Sequence, residues 1–249
     1  MTGVAARLNA ERIVLLGWSR AILLQLAHPL IAAGVHEHSS FRGSPITAVR
    51  RLHHTVQSML ALTFGDTARR QEAIDGIRAI HRRVHGRLPA AVGPFAAGTP
   101  YSADDPNLLL WVHATLLDSI PLIYERVVGP LSDEERDRYC VETAAVAIDL
   151  GARDEDVPRS WPVLQAYMAT MYGSGQLAVS PQARELADAV LSAGHRSVTL
   201  MLLPIEIRRA YGYSWDDRRQ RQANLLLRLI RGARRSTPRT LALWADARR

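Results

Sequence analysis

Apolar residues recur at intervals of three and four positions along nearly the whole chain, which is the pattern of helices that bury one face. No run of alternating apolar and polar residues indicates a half-buried strand. The pattern predicts an all-α protein, with residues 1–249 forming a single globular domain of about ten helices. The predicted segments, with ends good to about three residues, are roughly 9–27, 29–36, 45–63, 67–85, 105–127, 132–150, 161–172, 181–194, 199–211, 215–234 and 238–247.

Several predicted helices begin at a polar capping residue followed by proline. The side-chain oxygen accepts a hydrogen bond from a free backbone N–H, and proline is already shaped for the first helical turn. This pattern occurs at Ser44-Pro45, Asp105-Pro106, Ser180-Pro181 and Thr237-Pro238, and residues 132–135 form a capping box. The Gly-, Pro- and Ala-rich stretch 86–104 is longer than most irregular connections, so it predicts a functional loop.

Composition bounds the class of protein. With 249 residues and 47% hydrophobic content, the chain can bury a substantial core, and we expect a soluble globular protein. All 31 basic side chains are arginine, which excludes Schiff-base chemistry and lysine general bases. The single cysteine, Cys140, excludes an internal disulfide framework, a zinc-binding cysteine cluster and covalently attached haem. It favours a reducing, cytoplasmic location.

Residues 13–35 are apolar enough to suggest a membrane segment. Arg20 and His28 lie inside this stretch, Pro29 interrupts it, and no compact signal-peptide core with a cleavage site precedes it. We therefore interpret the stretch as a buried pair of helices and expect no transmembrane span.

The basic charge is concentrated at the C-terminal end. The net charge is +7, yet residues 208–249 carry 12 arginines against 3 aspartates. One interpretation is an interaction module that contacts nucleic acid or anionic lipid. The other, which base rates favour, is a solvated helix face whose arginine stems cover apolar surface. Nucleic acid is not favoured because no aromatic residues are interleaved, whereas peripheral membrane contact stays open.

Eight of the nine histidines fall between His28 and His113, which suggests a metallocofactor site because imidazole is a common ligand for transition metals and haem iron. His81 lies in the middle of an apolar helical stripe that includes Ile77 and Val84. A hydrogen-bonded core histidine is the competing interpretation. A zinc-protease helix is excluded because Arg82 stands where the essential glutamate would be.

Two further helices carry candidate residues. Arg51, His54 and Thr55 share one helix face, where they either surround a bound anion or dioxygen or form a polar stripe between helices. His53 points about 100° away from His54 and should meet solvent. His113 lies on an apolar stripe as a second ligand or a core partner. A di-iron bundle is not expected, because the chain has no Glu-x-x-His pair.

Taken in order, a series of short strings is similar to the catalytic domain shared by the latex-clearing proteins (rubber oxygenases) and the mpaB-type oxygenase of mycophenolic acid biosynthesis. The similarity covers roughly residues 10–175 and depends on order and spacing. The strings are Leu26-Ala-His28-Pro29, Gly34-Val-His-Glu-His38-Ser-Ser-Phe41, Arg51-x-x-His54-Thr55, Phe64-Gly65-Asp66, Ile80-His81-x-x-Val84-x-Gly86, Tyr101-Ser-Ala-Asp-Asp-Pro106, Trp111-Val-His113-Ala-Thr115 and Asp137-Arg-Tyr139.

The resemblance implies a helical fold around a pocket for non-covalent haem b, and an oxygenase that takes dioxygen as co-substrate. The expected activity is therefore that of a dioxygenase or monooxygenase, or a peroxidase-like one. It assigns His81 as the proximal iron ligand, and it places Arg51 and Thr55 on the distal side. His54 stands where the rubber-cleaving members carry a lysine, so it either ligates the iron or donates a hydrogen bond to dioxygen. Glu37 or His38 is a candidate for the base that removes an allylic proton from the substrate.

Rubber is not the expected substrate, because secretion would be needed to reach the polymer and no export signal is visible in the sequence. We expect a smaller apolar molecule such as an alkene, terpenoid or lipid. Proteins that share a fold can have different activities, so we keep two alternatives to the oxygenase. One is a haem- or apolar-ligand-binding protein without turnover. The other is the basic C-terminal interaction module.

Overall fold

The computed structural model describes residues 3–38, 45–191 and 195–248, apart from the side chains of residues 45–52 and 248. The predicted all-α single domain is confirmed for this part of the chain. Its elements are α1 (Val4–Ala10), α2 (Leu15–Leu26), α3 (Pro29–His38), α4 (Pro45–Phe64), α5 (Thr67–His81), β1 (His85–Arg87), β2 (Pro100–Ser102), α6 (Pro106–Val127), α7 (Asp133–Leu150), α8 (Trp161–Gly173), α9 (Pro181–Leu191), α10 (Arg196–Leu202), α11 (Ile205–Ala210), α12 (Asp217–Ser236) and α13 (Arg239–Ala242).

The capping residues begin their helices largely where the sequence predicts. Asp105 accepts from the backbone N–H of Asn107, and Ser180 accepts from that of Ala183. Ser132 and Glu135 form the complete capping box. Ser44 lies outside the described residues, and α13 begins one residue after Pro238.

Helices α2 and α6 pack together at the centre of the core. A Cβ at Gly17 would lie only 2.7 Å from the carbonyl oxygen of Ser119, so glycine permits this close approach. The fully buried Trp111 donates from its indole N–H to the carbonyl of Leu24 at 3.2 Å. This pairing makes α6 a fixed support for one wall of the site.

Residues 13–35 form a buried pair of helices, as the sequence predicts from the positions of Arg20 and Pro29. The Arg20 guanidinium is buried and forms an ion pair with Asp118 at 2.7 Å. The chain bends by 107° between the stretch Arg12–Leu26 and α3. Within the described residues, α6 is long and apolar enough to cross a membrane, and 67% of its most apolar window is buried. The bent pair passes the same test only if it is counted as one span.

Five local predictions are wrong. The predicted helix 238–247 is an α-helix only over Arg239–Ala242, after which Leu243 is extended and pairs with Glu11 in an isolated bridge. The predicted loop 86–104 contains β2 and most of β1, an antiparallel pair in which Gly86 lies opposite Tyr101. Three-residue strands are too short to show an alternating pattern. Helix α5 ends at His81 instead of residue 85. The predicted helix 9–27 is divided at Glu11, and the predicted helix 199–211 is divided before Ile205, where Pro204 cannot continue a helix.

Candidate functional site

A cavity of about 960 Å³ opens among helices α2 to α7 and strand β2. This volume lies near the upper end of the usual range for small-molecule and cofactor sites. Four histidines reach its wall from four different helices or helix ends, and the remaining wall is mostly apolar. The histidines are His38, His54, His81 and His113, and the apolar residues include Leu30, Ile31, Ile77, Leu108, Leu109 and Leu116.

His81 is the last residue of α5, and the predicted stripe places it on the cavity wall beside Ile77 and Val84. Its side chain is half-buried, and its Nδ1 has no hydrogen-bond partner within the described structure. Burial lowers the pKa of the imidazole, although the charge of Asp104 opposes this effect. His81 is therefore held in the neutral form, which is the form that binds metal ions.

His113 faces the same cavity from α6. Burial lowers the pKa of His113 to about 4, and its Nε2 has no partner among the described residues. The long apolar stripe of α6 explains this position, since the residues one turn before and after His113, Leu109 and Leu116, also line the cavity. The cavity wall thus holds two neutral imidazoles, and each has an unpaired ring nitrogen.

The polar face predicted on α4 is found at an open side of the cavity. His54 and Thr55 both line the cavity and are exposed, and Ser58 continues the polar wall one turn further along α4. His53 is exposed, as predicted, and its ring packs edge-on against that of His54. Arg51 belongs to α4, but its side chain lies outside the described residues.

Tyr101 is the functional candidate that sequence reasoning missed. Its side chain is buried, lines the cavity and donates a hydrogen bond from its hydroxyl to Glu37. Burial and this carboxylate raise the pKa of Tyr101 well above its usual value, so the phenol keeps its proton. Glu37 itself is exposed and reaches the cavity through this contact.

Glycine makes room for Tyr101, which is the signal that sequence analysis overlooked. A Cβ at Gly86 would lie 2.5 Å from the Tyr101 hydroxyl, and one at Gly34 would lie 3.5 Å from its ring. His38 lies beside them, with Nε2 3.1 Å from the carbonyl of His85 and 3.5 Å from the Tyr101 hydroxyl. The strings that contain Gly34, Gly86 and Tyr101 thus meet at one point of the wall.

The remaining histidines lie elsewhere. His28 is buried against the ring of Phe95, and burial lowers the pKa of His28 to about 4. His36 contacts Glu185 at 3.1 Å, and His85 is exposed. The described residues contain no group of three or more His, Cys, Asp or Glu placed to share a metal ion. Haem iron needs only one protein ligand, so a haem site does not require such a cluster.

The residues present fit a haem. The cavity is large and mostly apolar, and it presents a neutral imidazole whose Nδ1 is left unpaired by the described protein. A macrocycle could bury its apolar faces against the leucine and isoleucine wall, and His81 could then offer its ring to the iron. Cys140, whose thiolate could also ligate haem iron, is not among the cavity-lining residues.

The fold and the cavity together define a class of protein, a helical protein built around an apolar pocket lined by histidines. The chain belongs to the family described as "ER-bound oxygenase mpaB/B'/Rubber oxygenase, catalytic domain", whose family model matches residues 6–232. This match confirms the similarity inferred from the sequence strings and extends it towards the C-terminus. Neither a curated protein nor a solved structure matches the chain.

Proposed function

We propose that this protein is a haem-b-dependent oxygenase that uses dioxygen to oxidise an apolar small molecule, either unsaturated or lipid-like. The observation that carries the proposal is His81, a neutral imidazole on the wall of a 960 Å³ cavity, in a chain of an oxygenase family. His81 would hold the haem without a covalent attachment. Bound there, the haem would supply dioxygen activation, which amino-acid side chains do not provide.

The polar face of α4 would orient a polar molecule or the polar end of a substrate. His54 and Thr55 both line the cavity, and each carries a group that donates hydrogen bonds. Arg51 belongs to the same face by its position in α4, three residues before His54. These residues would form the distal side of the proposed site, and His81 would be its proximal ligand.

Tyr101 and Glu37 would hold and move a proton between the cavity and solvent. The Tyr101 hydroxyl can accept a proton from an acidic group of a bound molecule only as it passes its own proton to Glu37, because burial and the carboxylate disfavour a phenolate. Glu37 is exposed, so solvent can then take up that proton. Glu37 therefore acts as a base through Tyr101 in this proposal.

The apolar wall favours the substrate class. Substrate carbon chains would replace water against Leu30, Leu108 and Leu116, and burial of apolar surface contributes about 25 cal/mol per Å². Ile80 also lines the cavity while 54% of its surface is exposed, so an apolar edge continues from the wall to the outside. An alkene, terpenoid or lipid would enter along this edge.

The first test is an absorption spectrum of the full chain with haemin, recorded before and after reduction with dithionite. We expect a haem complex with a Soret band that His81→Ala loses. The exposed His53→Ala is the matched control and should keep the band. A protein that stays colourless with haemin would contradict the proposal, and so would an unchanged band in His81→Ala.

His113 is the reason to keep a second candidate, a haem-binding protein without turnover. It presents another unpaired ring nitrogen to the same cavity, and two imidazole ligands on one iron would leave no open position. This candidate predicts a reduced spectrum that dioxygen does not change. The oxygenase predicts a change on exposure to dioxygen, and a His113→Ala variant should keep it.

A further inference from the structure

Helix α12 has two faces with different compositions. Leu227 is buried against Ile123 and Val127 of α6 and against residues of α10. The guanidinium of Arg234 anchors the same side of the helix to the buried Glu11, with Nε donating to Oε2 at 2.6 Å. The opposite face presents Leu225 and Leu229, which are 58% and 61% exposed and lie one turn apart.

Arginines surround this exposed leucine pair. At about 100° per residue, Arg218, Arg221 and Arg228 all lie within about 80° of the centre of the pair. All three are exposed, and no acidic side chain of the described residues forms an ion pair with them. The positive charge of this face is therefore not neutralised by the described part of the chain.

The exposed leucine pair and the arginines around it together indicate which kind of partner fits this face. Leu225 and Leu229 lie one turn apart and form a small apolar patch that a purely solvated face does not require, and a nucleic-acid contact uses arginines on phosphates without needing leucines. An anionic bilayer takes both, because leucines enter the acyl boundary while arginine stems reach back to the lipid phosphates. We propose that the exposed face of α12, made of Leu225, Leu229, Arg218, Arg221 and Arg228, docks on an anionic phospholipid surface.

The experiment is co-sedimentation of the full chain with two kinds of vesicle, one of phosphatidylcholine alone and one with about 30% phosphatidylglycerol. We expect binding to the anionic vesicles that falls steeply between about 0.05 M and about 0.5 M salt. Leu225→Ser/Leu229→Ser should weaken this binding by about tenfold. Arg218→Gln/Arg221→Gln/Arg228→Gln should weaken it at least as much and flatten the salt dependence.

Matched controls separate this face from general attraction of a basic protein to anionic lipid. Val141→Ser/Val163→Ser removes two apolar side chains of similar exposure from other helices. Arg78→Gln/Arg126→Gln/Arg138→Gln makes the same charge change on exposed positions of α5, α6 and α7. Both controls should bind nearly as well as the original chain, and circular dichroism should show every variant folded.

Four outcomes would overturn the proposal. The first is no binding to anionic vesicles, and the second is an equal loss of binding in the controls. The third is tight binding to duplex DNA that depends on the three arginines but not on the leucines, which would identify nucleic acid as the partner. The fourth is a dimer that dissociates in Leu225→Ser/Leu229→Ser, which would make the face a contact between two copies of the chain.

Discussion

Buried imidazoles are the clearest feature at the scale of single residues. His28 and His113 lie on different elements, and burial lowers the pKa of each to about 4. Burial removes the water that would stabilise the charged ring, so the folded protein favours neutral imidazole at both positions. The same cause lowers the pKa of His81. Neutral rings suit iron ligation, and they also couple folding to pH.

This coupling predicts that acid destabilises the haem-free protein. Between about pH 6.5 and pH 4, an unfolded chain binds protons at His28 and His113 that the folded chain does not bind. The contribution of these two neutral histidines to the stability of the folded state is therefore complete above pH 6.5 and is lost as the pH falls. When the pH is lowered from 7 to 5, the free energy of unfolding should fall by about 2 kcal/mol for each of these two residues.

Urea unfolding at pH 7 and pH 5 checks this prediction. The difference in the free energy of unfolding between the two pH values is the pH-dependent contribution, and a packing defect that is the same at both pH values cancels from it. His28→Gln and His113→Gln should each remove a large part of the difference between the two pH values. The exposed His53→Gln should leave the difference unchanged. A difference that survives in both buried variants would assign the acid sensitivity to other groups.

Tyr101 gives the second prediction for a single residue. Tyr101→Phe removes the hydroxyl that links the cavity to Glu37, so it should lower oxygen consumption with unsaturated lipids or terpenoids by about 100-fold. The Soret band with haemin should not change. Tyr213→Phe is the control, because that tyrosine also bonds a carboxylate, Asp188, but does not line the cavity. Full turnover in Tyr101→Phe would exclude the proposed proton path.

At the scale of helices and strands, sequence patterns predicted what depends on local chemistry. The capping residues of α6, α7 and α9 and the apolar stripe through His81 come directly from residue spacing. The pairing of β1 with β2 does not, because it depends on contacts across the fold. Tyr101 was missed for the same reason, since its role comes from Gly86 opposite it and from Glu37 on α3.

Replacing either of two helix glycines with alanine should change the free energy of unfolding, but in opposite directions. Gly17→Ala should lower the free energy of unfolding by about 1–3 kcal/mol, because the new Cβ would overlap the Ser119 carbonyl and separate α2 from α6. Gly76→Ala should raise it by up to about 1 kcal/mol, since α5 has nothing within 4 Å of that Cβ and alanine favours helices. Denaturant unfolding of both variants measures the two effects. A stabilising Gly17→Ala would mean that the two helices are not held this closely.

At the scale of the whole molecule, the family match reaches residue 232, so it includes most of the basic helix α12. The sequence placed the positive charge at this end but could not separate a solvated face from a docking face. Side-chain exposure favours the docking face, because Leu225 and Leu229 point away from the core while Leu227 is buried in it. Leu225, Leu227 and Leu229 look alike in sequence and differ only in which neighbours surround them.

The cavity predicts how the whole molecule responds to haem. A ligand that binds only the folded state at about 100 times its dissociation constant contributes about 2.7 kcal/mol. For a chain of this size that raises Tm by about 5–10 °C. Haemin should therefore stabilise the original chain clearly in a thermal scan. Protoporphyrin IX fills the same space without iron, so its smaller shift measures the contribution of burial alone.

The difference between the two porphyrins isolates the bond to the protein. In His81→Ala the extra stabilisation by haemin over protoporphyrin IX should disappear, while the shift from protoporphyrin IX should remain because the apolar wall is unchanged. If the extra stabilisation disappears in His113→Ala instead, the iron ligand lies on α6. If neither porphyrin shifts Tm, the proposed use of the cavity for haem is wrong. The His81 assignment and the use of the cavity for haem are thus tested separately in one experiment.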